Sequence, residues 1–152
     1  MDSISDFEDM LRLLAKHRAR YLVVGGLAFI YHAKPRSTKD MDLWVDPSPE
    51  NVERVNRALA EFGSPAILQP GDTDRILQIG VAPNRIDVLT KIEGVRFETA
   101  WRARIRDLYG DVMANWISLN CLIRAKSRID DPRHQDDARI LRQVRKLRGG
   151  RN

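Results

Sequence analysis

The sequence is poor in the groups that most often announce a site. Its 152 residues contain one cysteine, Cys121, so no intramolecular disulfide can form and a cysteine-based zinc site lacks ligands. The three histidines, His17, His32 and His134, are scattered without metal-ligand spacing. There is no Gly-Lys-Ser/Thr and no Gly-x-Gly-x-x-Gly, which sets aside P-loop NTPases and dinucleotide-binding dehydrogenases. No Ser-His-Asp or Cys-His arrangement stands out. The longest mostly apolar stretch, Tyr21 to Tyr31, is shorter than the roughly 20 residues that span a bilayer. The acidic, mixed first turn is unlike a signal peptide. The expected location is cytoplasmic, with no membrane partner. No internal repeat and no linker are visible.

What is present is an ordinary globular composition, 43% apolar and 31% charged, of a size that predicts one domain over 1–152. The net charge is +5, and much of the excess lies after Arg96. That balance suits anionic partners such as nucleotides or nucleic acid, and it equally suits a solvated basic face.

Capping-box residues Ser5 and Glu8 precede Phe7, Met10, Leu11 and Leu14, which predicts an amphipathic helix from about Asp6 to His17. Tyr21–Val24 reads as a short buried strand, broken by Gly25-Gly26 and followed by a short helix over Leu27–His32 that ends before Pro35. Asp40–Val45 reads as a strand with Met41, Leu43 and Val45 on one face. Ser48 and Pro49 open a helix carrying Val52, Val55, Leu59 and Phe62, and Gly63 stops it. Ile76–Val81 and Arg85–Thr90 read as two strands joined by Ala82-Pro83-Asn84. Trp101–Leu108 is expected to be helical, and Val112–Ser118 a short strand. Leu119–Ile129 and Arg133–Leu147 read as helices separated by Asp130-Asp131-Pro132, with a frayed tail from Gly149. The fold class is α+β with a mixed sheet.

The chemistry concentrates in Gly25-Gly26 and in Arg36-Ser37-Thr38-Lys39-Asp40-Met41-Asp42. In an extended chain Arg36, Thr38, Asp40 and Asp42 line one surface. Two carboxylates about 4 Å apart repel by about 1 kcal/mol in water and about 4 kcal/mol at an effective dielectric of 20. A hard divalent cation removes that repulsion, and Mg²⁺ favours one or two carboxylates plus substrate phosphates. Glycines between a strand and a helix let phosphates approach the backbone and the helix N-terminus. Asp87 lies between Ile86 and Val88 and points away from them. On a strand beside Asp40–Asp42 it would reach the same pocket, and three carboxylates can hold two metals about 3.5–4 Å apart.

Gly25-Gly26, the Arg36-x-Thr38-x-Asp40-x-Asp42 run and Asp87 resemble the minimal nucleotidyltransferases of the polymerase-β-like superfamily. The nearest likeness is to the small bacterial branch linked to abortive infection and toxin–antitoxin systems. Leu122-Ile123-x-x-Lys126 with Arg133-x-x-Asp136-Asp137-x-x-x-Leu141 is similar to that branch's C-terminal region, so the resemblance covers about Tyr21 to Leu141. It implies a palm over about 20–92 with a C-terminal helical part over about 97–147. It implies that Asp40, Asp42 and Asp87 bind two Mg²⁺ ions, that Asp87 helps activate the acceptor hydroxyl, and that Gly25, Gly26, Arg36, Thr38 and Lys126 hold a nucleoside triphosphate such as ATP. Many relatives carry serine where Gly26 stands, so one hydroxyl contact is missing. The expected activity is transfer of a nucleoside monophosphate to a hydroxyl of an RNA (a tRNA end for example), a protein or a small molecule. A homodimer or an antitoxin partner fits that setting. The alternative is a catalytically degenerate module binding nucleic acid or protein, and a metal-dependent phosphohydrolase is a third reading that leaves Gly25-Gly26 unused.

Other features read as structural. Asp72-Thr73-Asp74 follows Pro70-Gly71 and reads as a solvated loop. Asp136-Asp137 suits a helix first turn. Trp44, Trp101 and Trp116 read as packing anchors, and His32 as a packing residue.

Overall fold

A computed structural model describes residues 3–38, 40–69, 71 and 76–149. Asp72-Thr73-Asp74, Lys39 and the last three residues of the tail lie outside the described residues. The order is α1 (Ser3–Lys16), β1 (Tyr21–Val24), α2 (Gly25–His32), β2 (Asp40–Val45), α3 (Pro49–Phe62), β3 (Leu77–Ile79), β4 (Arg85–Leu89), α4 (Phe97–Arg102), β5 (Ile105–Tyr109), β6 (Val112–Trp116), α5 (Leu119–Ser127) and α6 (Pro132–Leu147). One six-stranded mixed sheet runs β3-β4-β2-β1-β6-β5. β2 lies antiparallel to β1 and parallel to β4.

Strand parity explains the layers. Tyr21 and Val23 of β1 join the core under α1 and α3, with Phe7, Met10, Leu11, Leu14, Val52, Val55 and Leu59. Leu22 and Val24 join the opposite core with Phe29, Phe97, Ile117, Leu122 and Leu141. A strand buried on both faces has no polar position to spare, which is why β1 is an unbroken apolar run. Each fully buried Leu, Met or Phe contributes about 1.5–3 kcal/mol. Asn51, at the start of α3, is buried and ties the adjoining ends of β1 and β2 to that helix. Its side chain accepts from the Arg20 N–H at 2.7 Å and donates to the carbonyls of Arg20 and Asp46 at 3.0 and 2.8 Å.

Ser48 caps α3, and Gly63 ends it with a φ of 95°. α1 begins at Ser3, upstream of the expected Asp6, so Ser5 lies inside the helix and not at its cap. α2 takes in Gly25 and Gly26 as its first turn. The helix expected over Trp101–Leu108 is absent. α4 ends at Arg102, and Ile105–Tyr109 is the edge strand β5, paired antiparallel with β6 through the turn at Gly110. Ile105 and Tyr109 pack on the core, and those contacts with the β6 ladder outweigh local helical preference. Trp44 and Trp116 are core residues, and buried His32 meets the Ile117 carbonyl through Nε2 at 2.7 Å. Among the described residues, no helix is long and apolar enough to cross a membrane.

Candidate active site

The same parity places the acids. Met41, Leu43 and Val45 of β2 and Ile86 and Val88 of β4 face the α1/α3 core. Asp40, Asp42 and Asp87 therefore project from the other face of the sheet, which also carries Trp44, α5 and α6. The parallel register sets Asp42 directly opposite Asp87 and Asp40 opposite Arg85, and β1 brings Val24 to the other side of Asp42. Carboxylates far apart in sequence thus meet at one point of the sheet.

Gly25 stands where β1 gives way to α2, with a φ of 64°. A Cβ there would lie 1.9 Å from Asp42 Oδ2, so only glycine lets the backbone pass the carboxylate. A Cβ on Gly26 would meet Thr38 Oγ1 at 2.7 Å. A polar cavity of about 320 Å³ opens at this point, lined by Gly25, Gly26, Arg36, Thr38, Asp40, Asp42 and Lys126 among others. Seven of the eight residues singled out in the sequence line it, and Asp87 adjoins it through Asp42. A second, mostly apolar cavity of about 370 Å³ shares Gly25, Asp42, Lys126 and His134 with the first and continues along Leu89, Ile92, Ile117 and Leu122.

The electrostatics show an excess of negative charge at the sheet. Burial pushes the Asp42 carboxyl up to about 6, and the neighbouring Asp87 and Asp40 carboxylates add to this against the pull of Arg85 and Lys126. Burial also raises Asp87, with Asp40 adding to it and Arg85 opposing. Arg85 spans the group: Nη2 lies 2.8 Å from Asp40 Oδ2, and Nε lies 3.1 Å from Asp87 Oδ1. That second contact is close enough for charge attraction but misaligned for a hydrogen bond, so both buried atoms remain without one. Among the described residues, no three acidic, histidine or cysteine side chains already stand as a preformed metal cage. The donor set nevertheless suits a hard divalent cation: three carboxylates, one buried oxygen without a hydrogen bond, and one acid held above its usual range by burial and by its neighbouring carboxylates.

Facing the acids is a cationic wall. Arg36 grips Asp137 of α6 with two hydrogen bonds of 3.2 and 2.7 Å, and its guanidinium lies 3.6 Å from the centre of the Phe29 ring. Lys126, buried on α5, donates to the same Asp137 at 3.0 Å. Burial alone would raise Asp137, but the bonds from Arg36 and Lys126 outweigh it and hold the carboxyl below its usual value. Lys126 Nζ also meets His134 Nδ1 at 3.2 Å. Burial, reinforced by Lys126, lowers His134, which favours the neutral ring, the form able to accept this bond from the Lys126 ammonium.

This architecture has a counterpart among solved structures. It is similar to the aminoglycoside nucleotidyltransferase ANT(2")-Ia, solved in complex with adenylyl-2"-tobramycin, with a TM-score of 0.62 and 14% identity over 96% of this chain and 94% of that one. The chain has a nucleotidyltransferase fold. No protein-family model matches the sequence, and no curated protein matches it significantly.

Two residues of this nucleotidyltransferase-fold site escape sequence reading. Asp137 reads there as a helix-turn acid, yet it organises both cations of the wall. The available signal was its position four residues before Leu141, which puts a charge on the buried face of α6. Arg85 gave no signal, because its partner Asp40 is fixed only by strand register.

Proposed function

We propose that the chain is a Mg²⁺-dependent nucleotidyltransferase that moves a nucleoside monophosphate from a nucleoside triphosphate to an acceptor hydroxyl. The observation that carries this reading is the in-register pair Asp42–Asp87 beside Gly25, where a side chain cannot fit. The whole of 1–152 serves this one activity. Gly25 and Gly26 offer backbone N–H groups to the triphosphate, and Arg36, Thr38 and Lys126 line its path. The apolar cavity takes the base and sugar. Asp40, Asp42 and Asp87 would hold two Mg²⁺ ions, which when bound neutralise charge on the phosphates. Arg85, which bridges Asp40 and Asp87 here, supplies the counter-charge that bound ions would supply. Asp87, made more basic by burial, accepts the proton of the attacking hydroxyl. The new oxygen–phosphorus bond forms at the α-phosphate, the bond to the β-phosphate oxygen breaks, and pyrophosphate leaves. The acceptor is an RNA, a protein or a small hydroxylated molecule, in a defence or toxin–antitoxin setting, on the resemblance of its motifs to that branch.

The Arg85 bridge favours one rival: a module of the same fold that has lost catalysis and keeps its acids neutralised internally. Calorimetric titration with each nucleoside triphosphate, with and without Mg²⁺, separates the two. Transferase chemistry requires Mg²⁺-dependent binding that the Asp40→Asn/Asp42→Asn variant loses. Absence of binding for every triphosphate refutes the enzyme reading.

A further inference from the structure

Residues 119–148 hold nine Arg and Lys against four Asp, a net +5 that equals the net charge of the whole chain. Three of the four acids are engaged elsewhere, and none lines the groove between α5 and α6. Asp131 caps α6, Asp137 holds Arg36 and Lys126, Asp136 pairs with Arg139, and Asp130 sits in the turn between the helices. A groove of about 580 Å³ runs between α5 and α6, lined by Asn120, Ile123, Arg124, Ser127, Arg142 and Arg145. No acid lines it. Leu122, Ala125 and Lys126 of α5 line the cavities of the active site, and at 3.6 residues per turn they lie on roughly the opposite side of that helix.

The groove is organised for an anion. Arg142 donates to Ser127 Oγ at 2.8 Å, and Arg145 donates to Asn120 Oδ1 at 3.1 Å. These neutral partners fix the two heads over the groove, and each guanidinium has further N–H donors to offer. Arg124 has no ion pair or hydrogen bond among the described residues. Planar guanidinium groups recognise phosphate in two-point contacts. Ile123, the one apolar lining residue, is buried, so nothing here inserts into a bilayer. Residues 119–148 contain no Phe, Tyr or Trp, and none lines the groove, so it offers no aromatic platform for base stacking.

We propose that this groove binds the sugar–phosphate backbone of a single nucleic-acid strand, without sequence preference and independently of the nucleotidyl-transfer site. Arg124, Arg142 and Arg145 each neutralise one phosphate, while Asn120 and Ser127 add hydrogen bonds.

Fluorescence anisotropy with labelled 12-nucleotide oligouridine and oligoadenosine RNA tests it. Both are expected to bind within about threefold of each other, with polyglutamate a weak competitor. Three phosphate contacts on a single strand contribute about 2 to the slope of log affinity against log salt. The triple variant Arg124→Gln/Arg142→Gln/Arg145→Gln should lose that slope, so its affinity falls about 20-fold less than wild type between 50 and 200 mM salt. The control Arg12→Gln/Arg57→Gln/Arg102→Gln removes equal charge from exposed sites elsewhere and should keep the slope. Asp42→Asn should bind RNA as wild type does, which separates this surface from the proposed chemistry. An unchanged slope in the groove variant, an equal loss in the control, or polyglutamate competing as well as RNA overturns the proposal.

Discussion

Replacing Asp42 with asparagine should make the protein more stable, and by an amount that depends on pH. Burial and two neighbouring carboxylates raise this acid from 3.8 to about 6. Below pH 3.8 the acid is protonated whether the chain is folded or not, so the shift has no effect on stability. Between 3.8 and 6 the unfolded chain has released its proton and the folded chain has not, so stability falls as pH rises. Above 6 the folded chain carries the charge and the full loss is present. At 1.36 kcal/mol per pKa unit the loss is about 3 kcal/mol. An asparagine at this position cannot ionise and escapes it. Acids that do not touch Asp42, such as Asp137, contribute their own pH dependence, but they are common to both proteins and largely cancel in the difference, so the difference reads Asp42 together with its coupled neighbour Asp87. Urea unfolding of both proteins in EDTA, from pH 4 to 7.5, reads it directly. The variant's advantage should grow by about 2–3 kcal/mol across the range, equivalent to roughly 5–10 °C in Tm for a domain of this size. A difference that stays flat from pH 4 to 7.5 would show that Asp42 titrates normally and would remove the case for a charge-starved site.

Two further substitutions test the frame around that acid. Gly25→Ala forces a Cβ into the Asp42 carboxylate at a positive φ, and should weaken triphosphate binding at least tenfold by calorimetry while lowering stability by about 2 kcal/mol or more. Gly26→Ala meets only the Thr38 side chain, and its stability by urea unfolding should stay within about 1 kcal/mol of wild type. Equal losses in the two would contradict the geometry. Asn51→Ala leaves the part-buried N–H and C=O of Arg20 and carbonyl of Asp46 without this side chain. It should cost about 2–4 kcal/mol in the same assay, and a cost under 1 kcal/mol would show that water replaces the amide.

The site was legible where local pattern decides it. Alternation in Asp40–Val45 and in Ile86-Asp87-Val88 aims the acids off the core face, and Gly25-Gly26 marks a strand-to-helix passage where side chains have no room. Where partners are set by register or by helix packing, the sequence is silent. Arg85 meets Asp40 across two parallel strands, and Asp137 reaches Arg36 only because α6 packs near α2. The misread helix has a local cause. Trp101, Ile105 and Leu108 recur at a helical spacing, while Ile105, Asp107 and Tyr109 also alternate as a strand. The β5–β6 pairing decides between these periods, and only the turn at Gly110-Asp111 hints at it.

Arg85 also bears on how the molecule comes to exist. Three acids crowded on one sheet face would ordinarily oppose closure of β2 against β4, and a protein built that way would wait for its ion before folding. Here the strand carrying one acid brings its own counter-charge two residues earlier, and register delivers it to a second acid as the strands pair. On the proposed metal-dependent reading, assembly of the sheet and loading of the site would be separate events. A newly made chain would then reach its native form where divalent ions are scarce, and a chelator would leave the domain folded.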